Sequence, residues 1–97
     1  MPAPPIDPWT AGELAKQLHD QFGLTLRVRK RGRVLTLESG PDAAPCRHVR
    51  FRRDTVHLWV LEAPSGRTWQ RTPFRDTLDE LLEILTEELS WLVVPVE

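Results

Sequence analysis

The sequence predicts an α+β fold, a two-layer sandwich in which two helices cover one face of a five-stranded antiparallel sheet. Apolar residues recur at helical spacing in two segments, one near each end of the chain. Between them, short segments alternate apolar and polar residues, which is typical of strands with one buried face. Turn residues separate these segments closely enough for hairpins, so consecutive strands are expected to pair.

Both helices begin at a recognisable signal. Thr10 with Glu13, and Thr77 with Glu80, match the Thr-x-x-Glu capping box, and Gly23 is well placed to end the first helix. Each helix is expected to bury one apolar face. Those faces comprise Ala11, Leu14, Ala15, Leu18 and Phe22 in the first helix, and Leu78, Leu81, Leu82, Leu85, Leu89 and Leu92 in the second.

The first hairpin joins segments 24–29 and 34–38. A two-residue loop at Arg31-Gly32 would place Val28 opposite Leu35, and it would keep every inward pair apolar. The second hairpin joins segments 48–53 and 56–62 through a tight turn at Asp54-Thr55. That turn places Phe51 opposite Leu58 in the core and Arg50 opposite Trp59 on the other face.

The last strand, 67–71, allows two registers. A four-residue loop, 63–66, would pair Val60 with Trp69 and bury the indole beneath the helices. A bulged turn with Pro64 at its second position would instead pair Leu61 with Trp69 and leave the indole partly exposed. The Pro-Ser-Gly sequence favours the bulged turn. One residue of slip exchanges the two faces, so the choice decides which surface Trp69 joins.

The face turned away from the helices is the candidate binding surface, because it combines arginines with aromatic and apolar residues. A plain solvated face, with the indole of Trp59 covered by arginine stems, explains the pattern about as well. The predicted binding residues are Arg27, Arg29, His48, Arg50, Arg52, His57, Trp59, Leu61, Trp69 and Arg71.

Composition favours one small globular domain. The chain has 97 residues with 40% hydrophobic and 28% charged residues. Residues 1–8 contain four prolines and are expected to form a flexible tail, with a single domain over residues 9–97. The net charge of −1 conceals a segregation, because residues 24–75 carry a net +8 and residues 76–97 carry −7. The acidic face of the second helix is either tolerated surface or a site for a basic partner.

The sequence offers little for catalysis or metal binding. Cys46 is the single cysteine, which excludes an internal disulfide and favours a reducing cytoplasm. The three histidines lack metal-ligand spacing, and no nucleotide-binding or hydrolase motif occurs. We therefore expect no enzyme activity, no metal, no cofactor and no membrane attachment.

The order helix, five-strand meander, helix resembles the frataxin-like architecture. The similarity spans residues 10–92. It is carried by Val34-Leu35-Thr36-Leu37 after Gly32, by residues 57–61, and by Trp69 leading into the leucines of 78–89. The resemblance implies that fold and an iron–sulfur accessory role. In that family an acidic ridge on the first helix and first strand binds metal and partner, whereas the first strand here carries Arg27 and Arg29.

Together these patterns predict a non-catalytic binding or accessory protein whose outer sheet face meets an anionic partner. An acidic protein surface is the first expectation and single-stranded nucleic acid is the second. A frataxin-like accessory role is the third.

Overall fold

A computed structural model of the chain describes residues 4–95. The predicted α+β fold with five antiparallel strands is confirmed. Residues 1–3 of the predicted tail and residues 96–97 of the predicted domain lie outside the described residues. The elements are α1 (Thr10–Phe22), β1 (Arg27–Arg31), β2 (Val34–Ser39), β3 (Cys46–Arg53), β4 (Trp59–Ser65), β5 (Thr68–Asp76), α2 (Leu78–Glu87) and a short 3₁₀ helix (Ser90–Val93).

The sheet is a meander in the order β1-β2-β3-β4-β5, with antiparallel neighbours throughout. Buried residues of both helices and alternate residues of the strands belong to one hydrophobic cluster, as expected when strands present one face to a core. Gln17 of α1 donates to a carboxylate oxygen of Asp79 in α2 at 3.1 Å, so the helices are neighbours. The cluster includes Leu14, Leu18, Leu35, Leu37, Val49, Phe51, Leu61, Leu81, Leu82 and Leu85.

The described residues before α1 pack against the rest of the fold. Ile6 is buried in the core cluster, and the carbonyl of Pro5 accepts a hydrogen bond from Arg53 Nη1 at 2.9 Å. No helix within residues 4–95 has the length and apolar character needed to cross a bilayer.

Only one of the two predicted threonine caps forms, and there the N–H of Thr77 donates to the Asp76 carboxylate and not to Glu80. Thr77 caps α2, where its side chain accepts a hydrogen bond from the backbone N–H of Glu80. In α1 the cap position falls on Trp9, whose carbonyl accepts from the backbone N–H of Glu13, so the Thr10 prediction is wrong. Helical hydrogen bonding starts one residue early there, and Thr10 becomes the first residue of the helix. Gly23 ends α1 in the left-handed conformation, as predicted.

The hairpins β1–β2 and β4–β5, at the two edges of the sheet, have the same kind of loop, and it differs from the prediction. Both turn through a Gly-Arg pair, Gly32-Arg33 and Gly66-Arg67, with each glycine at a positive φ of 61°. Hairpin loops commonly place glycine at the first of two positions, because only glycine adopts that backbone angle without strain. Val28 therefore lies opposite Leu37 rather than Leu35.

For the last strand, neither predicted register occurs. Trp69 lies opposite Pro64, not opposite Val60 or Leu61. Its place on the outer face and its partial burial nevertheless agree with the exposed-indole prediction.

The predicted register between β3 and β4 is wrong by an odd number of residues. The connection runs through residues 54–58, and the backbone N–H groups of Asp54 and Thr55 both donate to the carbonyl of Leu58. Phe51 consequently faces Leu61 instead of Leu58. The shift exchanges the faces of β4, which buries the indole of Trp59 in the core.

Candidate arginine face

The strand register gathers eight arginines on the outer face of the sheet. Directly opposed residues of antiparallel strands share a face, so each row can be followed across all five strands. The rows carry eight positive charges against two glutamates, a formal excess of +6. The arginine face, as we call it, contains Arg27, Arg29, Arg31, Arg47, Arg50, Arg52, Arg71 and Arg75 together with Glu38, Glu62 and Trp69.

Glu62 is the anchor of one half of this face. The residue is 7% exposed, and its carboxylate accepts hydrogen bonds from Arg50 Nε at 2.6 Å and Arg52 Nε at 3.3 Å. A buried carboxylate needs such partners, because an unpaired charge inside a protein is strongly destabilising. Glu62 therefore fixes the direction of two guanidinium groups.

Glu38 pairs with the arginines of the other half of the face in the same way. It is 1% exposed and accepts hydrogen bonds from the Nε atoms of Arg27 and Arg29. The hydrogen bond and the charge of Glu38 raise the pKa of Arg29 above its ordinary value, so this guanidinium is firmly cationic. Arg27 is held further by the carbonyl of Gly40, at 2.6 Å from Nη1, and by Asp42, at 3.5 Å from Nε.

Trp69 is the aromatic element of the face. The guanidinium carbon of Arg50 lies 4.7 Å from the ring centroid, within the range of a cation–π contact. Since the same arginine is bound to Glu62, its position over the indole is fixed from two sides. Trp69 is the one aromatic side chain among the outward strand positions of residues 4–95.

A concavity of about 770 Å³ lies at one end of the arginine face. Residues of β1 and β3 line opposite sides, and the loop after β2 closes one end through Asp42, Ala43 and Pro45. Thr36, on β2, lies opposite Arg29 on one side and Arg50 on the other. The concavity therefore has a short polar side chain at its floor between two cations.

Six of the ten predicted binding residues share this face, and four do not. The six are Arg27, Arg29, Arg50, Arg52, Trp69 and Arg71. Trp59 and Leu61 were predicted on it but are buried in the core, 7% and 0% exposed, because β4 is shifted by an odd number of residues. His57 lies in the exposed connection between β3 and β4, outside both strands.

His48 was also predicted on the outer face, and that placement is wrong. It lies at the irregularity where Leu37 faces Val49 and Glu38 faces Arg47, so the strand has one extra residue there. The imidazole is buried, with Nε2 at 2.7 Å from Ser39 Oγ and Nδ1 at 2.9 Å from the Leu92 carbonyl. Nδ1 must donate to that carbonyl, so His48 ties the 3₁₀ helix to the sheet.

Sequence reasoning missed Arg31, Arg47 and Arg75 on the face. Arg31 continues the alternation of Arg27 and Arg29, and extending β1 by two residues would have found it. Arg47 shares the face because of the extra residue at His48, and no local pattern in the sequence signals that irregularity.

The other candidate groups, the cysteine, the possible metal ligands and the acids of α2, do not come together with the arginine face. Cys46 is exposed, and within residues 4–95 no group of three or more metal-ligating side chains occurs. The acidic residues of α2 are exposed, and Asp79 and Glu83 border a small groove of about 250 Å³ between the helices. These acids lie on the helices, whereas the arginines lie on the sheet.

Comparisons with protein-family models, with curated proteins and with solved structures find no match for this chain. The frataxin-like resemblance therefore stays a prediction.

Proposed function

We propose that this chain is a non-catalytic binding protein whose arginine face docks an acidic segment of another protein. The eight arginines on one sheet face carry the proposal, because arginine forms planar, paired hydrogen bonds with carboxylates and holds its charge at every physiological pH. Complementary charge steers such a partner and fixes its register.

The burial of the two glutamates supports an acidic partner, because a molecule that approaches the face contacts guanidinium groups and not carboxylates. Glu38 and Glu62 lie beneath their arginines, and the side chains of Arg29 and Arg52 stay 58% and 44% exposed. A guanidinium has five N–H donors, so one bond through Nε leaves donor capacity for a ligand. The four arginines paired with these glutamates are thus oriented before the partner arrives.

An acidic protein is favoured over single-stranded nucleic acid by the aromatic content of the face. Proteins that bind single strands stack successive bases on several aromatic side chains. Here Trp69 stands alone among the outward strand positions, and Arg50 covers one side of its ring. The arginines supply charge along the whole face, whereas the stacking surface is confined to one corner.

The test compares binding of a fluorescent glutamate-rich peptide, an oligothymidylate and an oligolysine peptide at low and high salt. We expect the acidic peptide to bind, the oligothymidylate to bind more weakly and the oligolysine not to bind. The variant replaces Arg31, Arg47 and Arg71 by Gln, because these side chains are exposed and form no ion pair within residues 4–95. Its affinity for the acidic peptide should fall by roughly tenfold or more.

A matched control replaces Lys16, Arg33 and Arg67 by Gln. It removes the same charge from exposed positions in α1 and in the two Gly-Arg loops. Equal losses in both variants would mean that binding follows net charge and not this face. No binding of the acidic peptide by the wild-type protein would overturn the proposal, and tighter binding of oligothymidylate would favour nucleic acid.

A further inference from the structure

We infer that the concavity on the arginine face is a phosphate site, which receives a phosphorylated side chain of the acidic partner segment. The inference rests on the proposed function, because it names the group that the same face selects. It concerns the part of the face where residues of β1, β2 and β3 line the concavity.

The charge balance of the concavity suits a dianion. Four arginines of the face contribute to its lining, Arg29, Arg31, Arg47 and Arg50, against two acidic residues, Glu38 and Asp42, an excess of two positive charges. Both carboxylates already have arginine partners, Glu38 through Arg27 and Arg29, and Asp42 through Arg27. A phosphorylated serine or threonine brings between one and a half and two negative charges near neutral pH, about twice the charge of a carboxylate.

The directions of the donors also suit phosphate better than carboxylate. A carboxylate has two oxygens in one plane and is satisfied by a single fork of donors. A phosphate group presents three acceptor oxygens in different directions. Arg29 and Arg50 lie on either side of Thr36 across the strands, and all three line the concavity, so it offers donors from two walls and a hydroxyl between them.

Two of the donors are fixed in advance. Glu38 accepts from Arg29 Nε, and Glu62 accepts from Arg50 Nε at 2.6 Å. Trp69 limits the motion of Arg50 further, with its ring centroid 4.7 Å from the guanidinium carbon. Fixing a donor beforehand reduces the ordering entropy lost on binding. The volume of about 770 Å³ admits a phosphorylated side chain together with neighbouring peptide backbone.

The experiment compares glutamate-rich peptides that differ only in a central serine or phosphoserine, by fluorescence anisotropy. We expect the phosphorylated peptide to bind roughly tenfold more tightly. Replacing Thr36 by Val removes the hydroxyl with little change of shape, and Arg47→Gln removes a cation from the wall. Both variants should reduce the preference for phosphoserine, whereas Arg67→Gln, which alters an exposed loop residue outside the concavity, should keep it.

The outcomes separate this inference from the proposed function. Equal affinity for the two peptides would overturn the phosphate site and leave acidic-segment binding intact. No binding of either peptide would overturn both. Inorganic phosphate and adenosine monophosphate are the remaining probes, and tighter binding of either than of the phosphopeptide would show that the phosphate is not presented by a protein. A preference that persists in both Thr36→Val and Arg47→Gln would place the selectivity outside the concavity.

Discussion

Removing the arginine partners of Glu62 should destabilise the protein more than removing arginines of the same face that form no ion pair within residues 4–95. The perturbation is the double variant Arg50→Met, Arg52→Met, which keeps most of the apolar stem and deletes both guanidinium groups. Glu62 then stays buried without the two hydrogen bonds at 2.6 and 3.3 Å. A buried charge that loses its partners is among the few causes of large mutational losses in stability.

The magnitude follows from the geometry. A hydrogen bond to a charged group contributes about 1.5–3 kcal/mol, and breaking a buried ion pair costs about 3–5 kcal/mol. The Arg50 side chain is 21% exposed, so its bond is well shielded, whereas Arg52 at 44% exposure contributes at the low end because water screens it. We expect a loss of about 3 kcal/mol, which corresponds to about 12–24 °C in the thermal midpoint of a domain of this size.

The assay is urea unfolding, followed by far-ultraviolet circular dichroism. The triple variant that adds Glu62→Met should return to within about 1 kcal/mol of wild type, since replacing a whole buried ion cluster by apolar residues is often neutral. The control, Arg31→Met with Arg71→Met, should change stability by less than about 1 kcal/mol. A triple variant less stable than the double would refute the reasoning, because the buried carboxylate would then not be the source of the loss.

Two further predictions use the same unfolding assay. Thr77→Ala should destabilise by about 1 kcal/mol, because this side chain caps α2, while Thr10→Ala should stay within about 0.5 kcal/mol, because Thr10 caps nothing; equal losses would contradict the cap assignment. His48→Leu should cost about 1–3 kcal/mol, because both nitrogens of this buried imidazole are hydrogen-bonded. An unchanged midpoint in His48→Leu would show that the tie to the 3₁₀ helix is dispensable.

The sequence predicted the elements of this fold better than their registers. Helical spacing and alternation found both helices and all five strands, because those patterns record which residues are buried. Alternation also placed Arg27, Arg29, Arg50 and Arg52 on one face, although the expected partners across the strands were wrong. A residue stays on the same face of the sheet under any even shift of register. The observed register of the first hairpin differs from the predicted one by an even number of residues.

Trp59 shows why the rest could not be predicted. Its strand reads as almost continuously apolar, with Leu58, Trp59, Val60 and Leu61 in succession, so either face could be the buried one. The choice depends on the length of the connection after β3, where the backbone of residues 54–58 turns through hydrogen bonds to the Leu58 carbonyl. No glycine marks that connection, whereas one glycine with a positive φ marks each of the other three, at Gly32, Gly40 and Gly66.

Two acids within the arginine face look unfavourable in the sequence, yet the structure gives them a physical role. Eight arginines on adjacent strands would repel one another, and like charges directly opposite each other weaken a sheet. Glu38 lies between Arg27 and Arg47 across the strands, and Glu62 lies between Arg50 and Arg71, so each acid separates two cations. Because both carboxylates are buried, they reduce that repulsion from beneath while exposed guanidinium groups face the solvent. The face thus remains electropositive at its surface, although the chain as a whole has a net charge of −1.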